Sequence, residues 1–313
     1  MTPTPDNRCT LSITVAPTDL PFLDQTLPHL ARAFGQSVAH RLVVADFNEV
    51  TGTFKKRPVG SIDSLRKLLD RFQADGLIDQ VVPVIMTSDL VQNAWRGVFT
   101  KPLPFPRDYR GAPIVNYLLC LSQAPTRYVM HVDSDMLIHQ RPGVTPFVER
   151  AIALLQSNED LAAVLPMSGP PHPEGVLHQP VWFVLDAKGF HRFRSFTSRL
   201  FLVDRERLPR LYPLPLDWPQ RTSPGRRLNL RRRLRGLSTL PMWEHMMEWA
   251  MSDRRLFRAD LSDGSCWSLH PVARGDDFVR ALPSIIERVE AGRFPAEQAG
   301  HYDLMVEAWT KSP

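Results

Sequence analysis

The segment that most constrains the fold of this chain is a short apolar run that ends in two carboxylates. Residues 128–132 have the sequence Tyr-Val-Met-His-Val and predict a buried β-strand, interrupted only by His131. Asp133, Ser134 and Asp135 follow directly. The two carboxylates repel each other and are poorly solvated beside an apolar strand. They therefore stay ionised only where positive charge compensates them.

A divalent cation that bridges to a substrate phosphate supplies such compensation. Mg²⁺ is held by one or two protein carboxylates together with phosphate oxygens and water. Open α/β sheets bind their ligands at the carboxyl ends of their strands, where Asp133 and Asp135 would lie. The pattern therefore predicts a metal–phosphate site. The alternative is structural, because Asp and Ser also cap helices and form solvated turns.

Strands and helices alternate through the first half of the sequence. Strand patterns occupy residues 11–16, 41–45, 81–86, 128–132 and 161–165, and helical periodicity occupies residues 22–34, 61–72, 111–122 and 144–155. Asp19 is expected to cap the first of these helices. The alternation predicts an α/β fold in which right-handed βαβ units build a mostly parallel central sheet flanked by helices.

The second half is less regular. It contains a segment rich in Pro, Gly and His at residues 166–180 and a long connection rich in Pro and Arg at residues 213–241. Shorter patterns predict strands at residues 181–185, 200–203 and 267–270 and helices at residues 242–251, 278–290 and 295–309. We therefore predict one continuous domain in two parts. Residues 1–165 form a nucleotide-binding type of α/β unit, and residues 166–313 form an irregular substrate-binding part.

Composition excludes several protein classes. The 313 residues are enough for a sizeable core. The apolar runs have strand length, so no membrane-spanning helix is predicted, and residues 1–15 lack the pattern of a secretory leader. Cys9, Cys120 and Cys266 have no paired spacing and are expected to be free thiols. These features predict a cytoplasmic protein without disulfides or a zinc site.

The basic character of the chain comes from one segment. The net charge is +5, and residues 221–235 contain seven Arg and no acid, so the other residues carry +5 − 7 = −2. A nucleic-acid-binding surface is therefore not predicted. The Arg-rich segment could close over a diphosphate, hold an acidic acceptor or make a weak contact with an anionic lipid surface. A solvated loop is the alternative.

Four further short motifs accompany the Asp-x-Asp segment. They are Ser12–Thr18 at the first strand and turn, Arg110-Gly111 with Asn116 before the central strand, Trp243-Glu244 at a predicted helix start, and Ser268-Leu269-His270 near the end. In this order and spacing, over about residues 11–270, the sequence resembles the nucleotide-sugar glycosyltransferases of the GT-A fold, especially family 2. The second acidic motif of that family is usually an acidic pair. Here His245 follows Glu244, so only Glu244 matches an acidic position of that motif.

This resemblance implies a GT-A type, Rossmann-like fold with an irregular acceptor-binding region. It implies metal-dependent transfer of a sugar from a nucleotide diphosphate donor, first of all a UDP-sugar, to an acceptor that the sequence does not name. Mn²⁺ or Mg²⁺ is expected, with Asp133, Asp135 and His270 as ligands. The residues expected to hold the donor are Ala16, Pro17, Thr18, Asp46, Arg110, Asn116, Asp133 and Ser134.

Glu244 is predicted to take the proton of the acceptor hydroxyl. No second nucleophile is evident, which favours a single displacement with inversion. The metal would neutralise charge on the leaving diphosphate, and an imidazole ligand such as His270 suits Mn²⁺ better than Mg²⁺. Structural alternatives exist for both residues, because acids are favoured in a first helical turn and His270 precedes Pro271 in a turn. Glu248, one helical turn later, competes as the base.

The sequence leaves one other class of protein open and disfavours two. A non-catalytic nucleotide-sugar-binding protein on the same fold stays open, because the second acid beside Glu244 is missing. A phosphohydrolase that uses the two aspartates as nucleophile and acid is disfavoured, since Leu137 stands where Thr or Val is needed and the motif does not follow the first strand. A nucleotidyltransferase is disfavoured because Pro17-Thr18 replaces a Gly-rich phosphate loop.

Overall fold

Twelve strands and eight α-helices are formed in the part of the chain that the computed structural model describes, residues 8–50, 52, 57–103, 105–218, 232 and 234–311. The strands are β1 (Cys9–Val15), β2 (His40–Ala45), β3 (Gln80–Pro83), β4 (Tyr128–Asp133), β5 (Leu137–Gln140), β6 (Leu161–Leu165), β7 (Met167–Ser168), β8 (Phe183–Leu185), β9 (Phe190–Phe193), β10 (Leu200–Asp204), β11 (Phe257–Leu261) and β12 (Cys266–Leu269). The helices are α1 (Leu20–Phe34), α2 (Ile62–Ala74), α3 (Asp89–Ala94), α4 (Ile114–Ser122), α5 (Phe147–Ser157), α6 (Trp243–Asp253), α7 (Asp276–Glu290) and α8 (Val306–Thr310). The Arg-rich segment 221–235 lies largely outside the described residues.

The main sheet has nine strands in the order β3-β2-β1-β4-β10-β6-β11-β9-β8. Strands β1, β2, β3 and β4 are parallel to one another. Strand β10 runs antiparallel to both β4 and β6, and β9 runs antiparallel to β11 and β8. All other strands run in one direction, so the predicted α/β class with a mostly parallel sheet is confirmed. Because β10 lies between β4 and β6, residues from both predicted parts share this sheet.

Burial explains why the central strands form where they do. Strand β4 has five consecutive buried residues before Asp133, and β1 is buried along nearly its whole length. Such continuous apolar strands are typical of parallel sheets covered on both faces. Helix α4 packs on β1, β2 and β4, and α5 packs on β6 and β10. Within the described ranges, no helix is both long and apolar enough to cross a membrane.

A second, three-stranded sheet has the order β5-β12-β7. The sequence predicted no strand at residues 137–140, where β5 forms just after Asp135. Strand β12 is antiparallel to β5 and pairs Leu269 with Leu137. His270 follows β12 directly. The pairing therefore places His270 at the end of β5 that is nearest to Asp133 and Asp135.

Two local predictions were wrong. Helix α1 begins at Leu20, and the carboxylate of Asp19 makes no capping bond to it; its Oδ2 accepts the N–H of Ala16 at 2.9 Å instead. The helix predicted at 295–309 is interrupted, because Gly300 has φ +74° and a Cβ there would lie 2.5 Å from the carbonyl oxygen of Val176. The chain beyond Gly300 is extended and pairs with His178 and His270 before α8 begins.

A buried histidine connects three elements around the second sheet. His29 on α1 is fully buried and accepts the backbone N–H of Ile138 on β5 through Nε2 at 2.9 Å. The proton therefore resides on Nδ1, which donates to Oε1 of Glu290 on α7 at 2.8 Å. Burial lowers the pKa of His29, and the hydrogen bond from His29 lowers the pKa of Glu290 to about 2.

The His29 network predicts a loss of stability in mild acid. Between pH about 6.5 and the lower folded pKa, the unfolded chain takes up a proton that the folded chain does not, so the free energy of unfolding falls as the pH falls. His29→Leu should remove this part of the pH dependence. It should also cost about 1–3 kcal/mol at pH 7, because the N–H of Ile138 loses its acceptor.

Urea unfolding at pH 7 and pH 5 measures both effects. His40→Leu, at the partly exposed start of β2, is the matched control. If the free energy of unfolding falls equally between pH 7 and pH 5 in wild type and in His29→Leu, His29 is not a source of the acid sensitivity.

Candidate functional site

A cavity of about 560 Å³ opens at the carboxyl ends of β1, β2 and β4. It brings together nearly all of the residues singled out from the sequence. Those that line it are Ala16, Thr18, Asp46, Arg110, Asn116, Asp133, Ser134, Asp135, Glu244 and His270. Pro17 is buried beside it and is not part of the lining. Cavities of this size commonly hold small-molecule ligands.

The register of the sheet determines what surrounds Asp133. Thr14 on β1 pairs with Asp133 in the parallel ladder, and its hydroxyl donates to Oδ1 at 3.3 Å. His131 contacts the same oxygen through Nε2 at 3.2 Å. The backbone N–H of Asp133 donates to the carbonyl of Arg199 at 2.7 Å, just before β10 begins. Residues far apart in the sequence are thus held around one carboxylate by backbone pairing.

Asp135 is buried, and only one of its two carboxylate oxygens has a partner among the described residues. Its Oδ2 forms an ion pair with Nη2 of Arg274, a residue that sequence reasoning did not identify. Its Oδ1 is buried without a hydrogen-bond partner among the described residues. Asn116 Oδ1 and Arg274 Nε, which belong to the lining of the same cavity, are likewise buried without a partner. Such buried polar atoms are normally satisfied, so they indicate a ligand that completes their contacts.

His270 contacts arginines on both sides of its ring. Arg199 Nη1 lies 2.8 Å from Nδ1, and Arg274 Nη2 lies 3.4 Å from Nε2. Asp303 Oδ1 also approaches Nδ1 at 3.3 Å. Because both ring nitrogens are engaged, the predicted ligand set of Asp133, Asp135 and His270 is not assembled. In the described part of the chain, no three or more His, Cys, Asp or Glu side chains are grouped to hold a metal ion.

The residues do fit a metal that is completed by substrate. Two carboxylates one residue apart, one with a buried unpaired oxygen, are the protein ligands that Mg²⁺ or Mn²⁺ needs when phosphate and water supply the others. The free Asp135 oxygen is the observation that supports this fit.

Asp19 adds a third acid to this corner of the cavity. Burial, and after it the negative charge of Asp135, raises the pKa of Asp19 to about 6. The sequence placed Asp19 at a helix start and gave no indication of this contact. A cation bound beside Asp135 would relieve the repulsion between the two carboxylates.

Glu244 lies in the first turn of α6 and is partly exposed. Its Oε1 accepts hydrogen bonds from the N–H and the hydroxyl of Ser198, both at 2.9 Å. The ring of Trp243 stacks on Tyr117 with centroids 5.9 Å apart and an angle of 12°, which fixes the start of α6 against α4. The second oxygen of Glu244 is left for another contact, while the first is held in place.

Asp46 is held by protein groups and does not offer a free carboxylate. Its Oδ2 pairs with Arg107 Nη2 at 2.7 Å, and its Oδ1 accepts the backbone and side-chain N–H groups of Asn48 at 3.0 and 2.7 Å. Nearby, Asp108 accepts the N–H groups of Arg110 and Ala112 at 2.7 and 2.9 Å. The loop that carries Arg110 is therefore organised by buried acids.

Five arginines line the cavity, and sequence spacing identified only one of them. They are Arg57, Arg107, Arg110, Arg199 and Arg274. Arg199 lies in a basic aromatic stretch and Arg274 lies four residues after His270, so neither stands at a motif position. The short distance in sequence between His270 and Arg274 was the one signal that could have suggested Arg274. These guanidinium groups lie among the acids of the same lining and are the groups that can form charge-assisted hydrogen bonds to a polyphosphate.

Comparison with known proteins gives weak likenesses. No family model and no curated protein matches the sequence. Among solved structures, the chain is similar to GalNAc-T7 with UDP, GalNAc and Mn²⁺ (TM-score 0.48, 10% identity, 84% of this chain and 43% of that chain). It is also similar to a CMP:2-keto-3-deoxy-manno-octonic acid synthetase complexed with CTP (TM-score 0.42, 10% identity, 81% and 89%) and to S. aureus TarS (TM-score 0.41, 12% identity, 89% and 39%).

This chain therefore spans less than half of the length of the GalNAc-T7 and TarS chains. All three TM-scores lie below 0.5.

The Asp46–Arg107 pair predicts a stability effect that needs no ligand. The Arg107 side chain is 15% exposed and that of Asp46 is 3% exposed, so Asp46→Ala leaves a largely buried guanidinium without its partner. The expected cost is about 2–3 kcal/mol, somewhat below that of a fully buried pair.

Chemical denaturation of Asp46→Ala measures this cost. Asp79→Ala is the control, because it breaks the more exposed Arg41–Asp79 pair and should cost about 1 kcal/mol or less. Equal costs for the two variants would show that the Asp46 pair is not buried in solution.

Proposed function

We propose that this protein is a metal-dependent glycosyltransferase. It moves a sugar from a nucleotide diphosphate donor, first of all a UDP-sugar, to an acceptor hydroxyl with inversion. The observation that carries this proposal is the meeting of Asp133, Asp135 and Glu244 in one cavity from two separate segments, the end of β4 and the start of α6. An acid pair suited to a cation–diphosphate and a separate, positioned carboxylate are the two parts that such a transfer needs.

Asp133 and Asp135 would hold Mg²⁺ or Mn²⁺ together with the donor diphosphate. When bound, the metal supplies Lewis-acid stabilisation of the negative charge on the leaving diphosphate. Arg199 and Arg274 are placed to contribute to the same task, since their guanidinium groups lie beside His270 in the cavity. Guanidinium groups form strong charge-assisted hydrogen bonds to phosphate oxygens.

The donor nucleoside would lie toward the end of β2. Ala16, Thr18 and Asn48 line this part with Asp46 and Arg107. Because the two oxygens of Asp46 are engaged by Arg107 and Asn48, we propose that Asp46 acts on the nucleoside by orienting those two residues. Arg110 and Asn116 line the same cavity from the loop before α4 and from α4 itself.

Glu244 is the proposed base. The two hydrogen bonds from Ser198 hold one oxygen, and the carboxylate can accept the proton of an acceptor hydroxyl as the hydroxyl oxygen attacks the sugar. A single attack from the face opposite the diphosphate inverts the configuration at the reacting carbon. Glu248 lies one turn further along α6 and remains the competing candidate.

The chemistry of Asp133 argues against the phosphohydrolase alternative. A nucleophilic aspartate needs an oxygen free to attack phosphorus. Oδ1 of Asp133 is contacted by both Thr14 and His131, and Oδ2 is the oxygen that the proposed metal would take. A non-catalytic binding protein would need no positioned carboxylate at the far side of the diphosphate. The bonds from Ser198 to Glu244 favour the enzyme over that alternative.

Asp135→Asn should abolish metal-dependent activity while retaining the side-chain volume. Release of UDP from UDP-sugars in the presence of Mn²⁺ should fall roughly 10²-fold or more, because several kcal/mol of charge stabilisation depend on the metal. Asp79→Asn, outside the cavity, is the control and should leave UDP release unchanged. Full activity of Asp135→Asn would remove the basis of the metal role.

Glu244→Gln separates binding from chemistry. Sugar transfer should fall about 10²- to 10⁴-fold, whereas thermal stabilisation by UDP and Mn²⁺ should persist. Glu248→Gln is the comparison and should affect transfer less. If Glu248→Gln has the larger effect on transfer, the base is Glu248.

A further inference from the structure

A second cavity, of about 380 Å³, adjoins the first. The two cavities share Arg199, Glu244 and Asp303 in their linings. Glu244 therefore stands where one space meets the other. A ligand in the second cavity can present a group to the same carboxylate that faces a ligand in the first.

The second cavity contains polar atoms that the described chain leaves unsatisfied. Gln179 Nε2, Ser195 Oγ and His245 Nδ1 are buried without a hydrogen-bond partner among the described residues, and all three residues belong to its lining. Buried polar groups are rarely left unpaired in folded proteins. Three such atoms around one space indicate a ligand with several hydrogen-bonding groups.

The charges of this cavity select against an anion. Its cations are Arg199 and Arg258, and Arg258 is neutralised by bidentate hydrogen bonds to Asp260 at 2.7 and 3.0 Å. Its acids are Glu244, Glu248 and Asp303. Arg199 is therefore set against three carboxylates, and its guanidinium already lies 3.9 Å from one of them, Asp303. A phosphate or carboxylate on the ligand would be repelled.

The remaining lining carries apolar faces between the polar groups. The rings of His178 and His301 stack with centroids 4.0 Å apart, and Val181 and Phe196 add apolar surface. Burial lowers the pKa values of His245 and His301, which keeps these rings neutral near pH 7. Flat faces alternating with hydrogen-bonding groups suit the C–H faces and hydroxyl groups of a carbohydrate.

We propose that this second cavity is the acceptor subsite and that it takes an uncharged, hydroxyl-rich molecule, a sugar or polyol, rather than a phosphorylated or carboxylated one. The proposal rests on the proposed function, because it assigns Glu244 to the acceptor hydroxyl. It adds the chemical class of the acceptor. It also makes Gln179, Ser195 and Glu248 determinants of that class.

The test compares neutral and anionic probes on the full chain. The neutral probes are the methyl glycosides of glucose, galactose, mannose and N-acetylglucosamine, and the anionic probes are the corresponding 6-phosphates. Binding is measured by titration calorimetry in the presence of UDP and Mn²⁺, and thermal stabilisation by UDP and Mn²⁺ reports the donor site separately. At least one neutral glycoside should bind tenfold or more tightly than its 6-phosphate.

Two variants connect this preference to the cavity. Gln179→Leu should lower the affinity for the neutral probe about two- to tenfold, which is the effect of one lost hydrogen bond. Glu248→Lys should raise the affinity for the 6-phosphate at least tenfold. Glu149→Lys, an equal charge change at an exposed position on α5, is the matched control and should change neither affinity. Stabilisation by UDP and Mn²⁺ should persist in all three variants.

The outcomes separate the two proposals. If the 6-phosphates bind as tightly as the neutral glycosides, if Glu248→Lys acts no differently from Glu149→Lys, or if no neutral probe binds while UDP and Mn²⁺ stabilise the protein, the acceptor assignment is overturned and the proposed function stands. If UDP and Mn²⁺ also give no stabilisation, both are overturned.

Discussion

The antiparallel pairing of β10 with β4 is the constraint on which the site depends. It places the backbone of Arg199 against Asp133 at the end of the central strand, with a hydrogen bond of 2.7 Å. Ser198 is one residue away and holds Glu244. A slip of one residue in this pairing would turn the side chains of β10 to the opposite face of the sheet. The distance between the Asp133–Asp135 pair and Glu244 is therefore set by backbone hydrogen bonds, which are more rigid than a loop.

The second constraint is the balance of charge at the sheet edge. Asp19, Asp133 and Asp135 lie together, and Arg274 pairs with Asp135 while Arg199 and Arg274 approach His270. Burying several acids without such cations would be costly. The arginines thus stabilise the folded protein before any ligand binds. Under the proposed function, phosphate groups would compete with the carboxylates for the same arginines.

Much of the parallel half of the fold could be predicted from the sequence. Strands β1, β2, β4 and β6 are continuous apolar runs bounded by polar turns, and their burial follows from that composition. Ala16, Thr18, Asp46, Asp133, Ser134 and Asp135 meet because they follow strand ends at one sheet edge. Strand β5 could not be predicted, since four residues after a turn carry no periodicity. It becomes a strand because β12 pairs with it from more than a hundred residues away.

The arginines of the site were missed for a related reason. Arg199 carries no spacing signal, and Arg274 is marked only by its place four residues after His270. The positions of both depend on β10 and on the turn after β12. The contacts of His270 with two arginines could not be predicted either, because they exist only in three dimensions. Local pattern fixes which strands are buried. Long-range pairing decides which charges share a cavity.

The ion pair between Asp135 and Arg274 has a consequence for the order of events. A cation that approaches Asp135 must compete with a guanidinium already bound to one carboxylate oxygen. A diphosphate that draws Arg274 toward itself would release that oxygen. Cation affinity and nucleotide affinity are then thermodynamically linked, each raising the other by the same factor. The protein alone would hold the ion weakly, and the chelate of ion and nucleotide would be the species that enters.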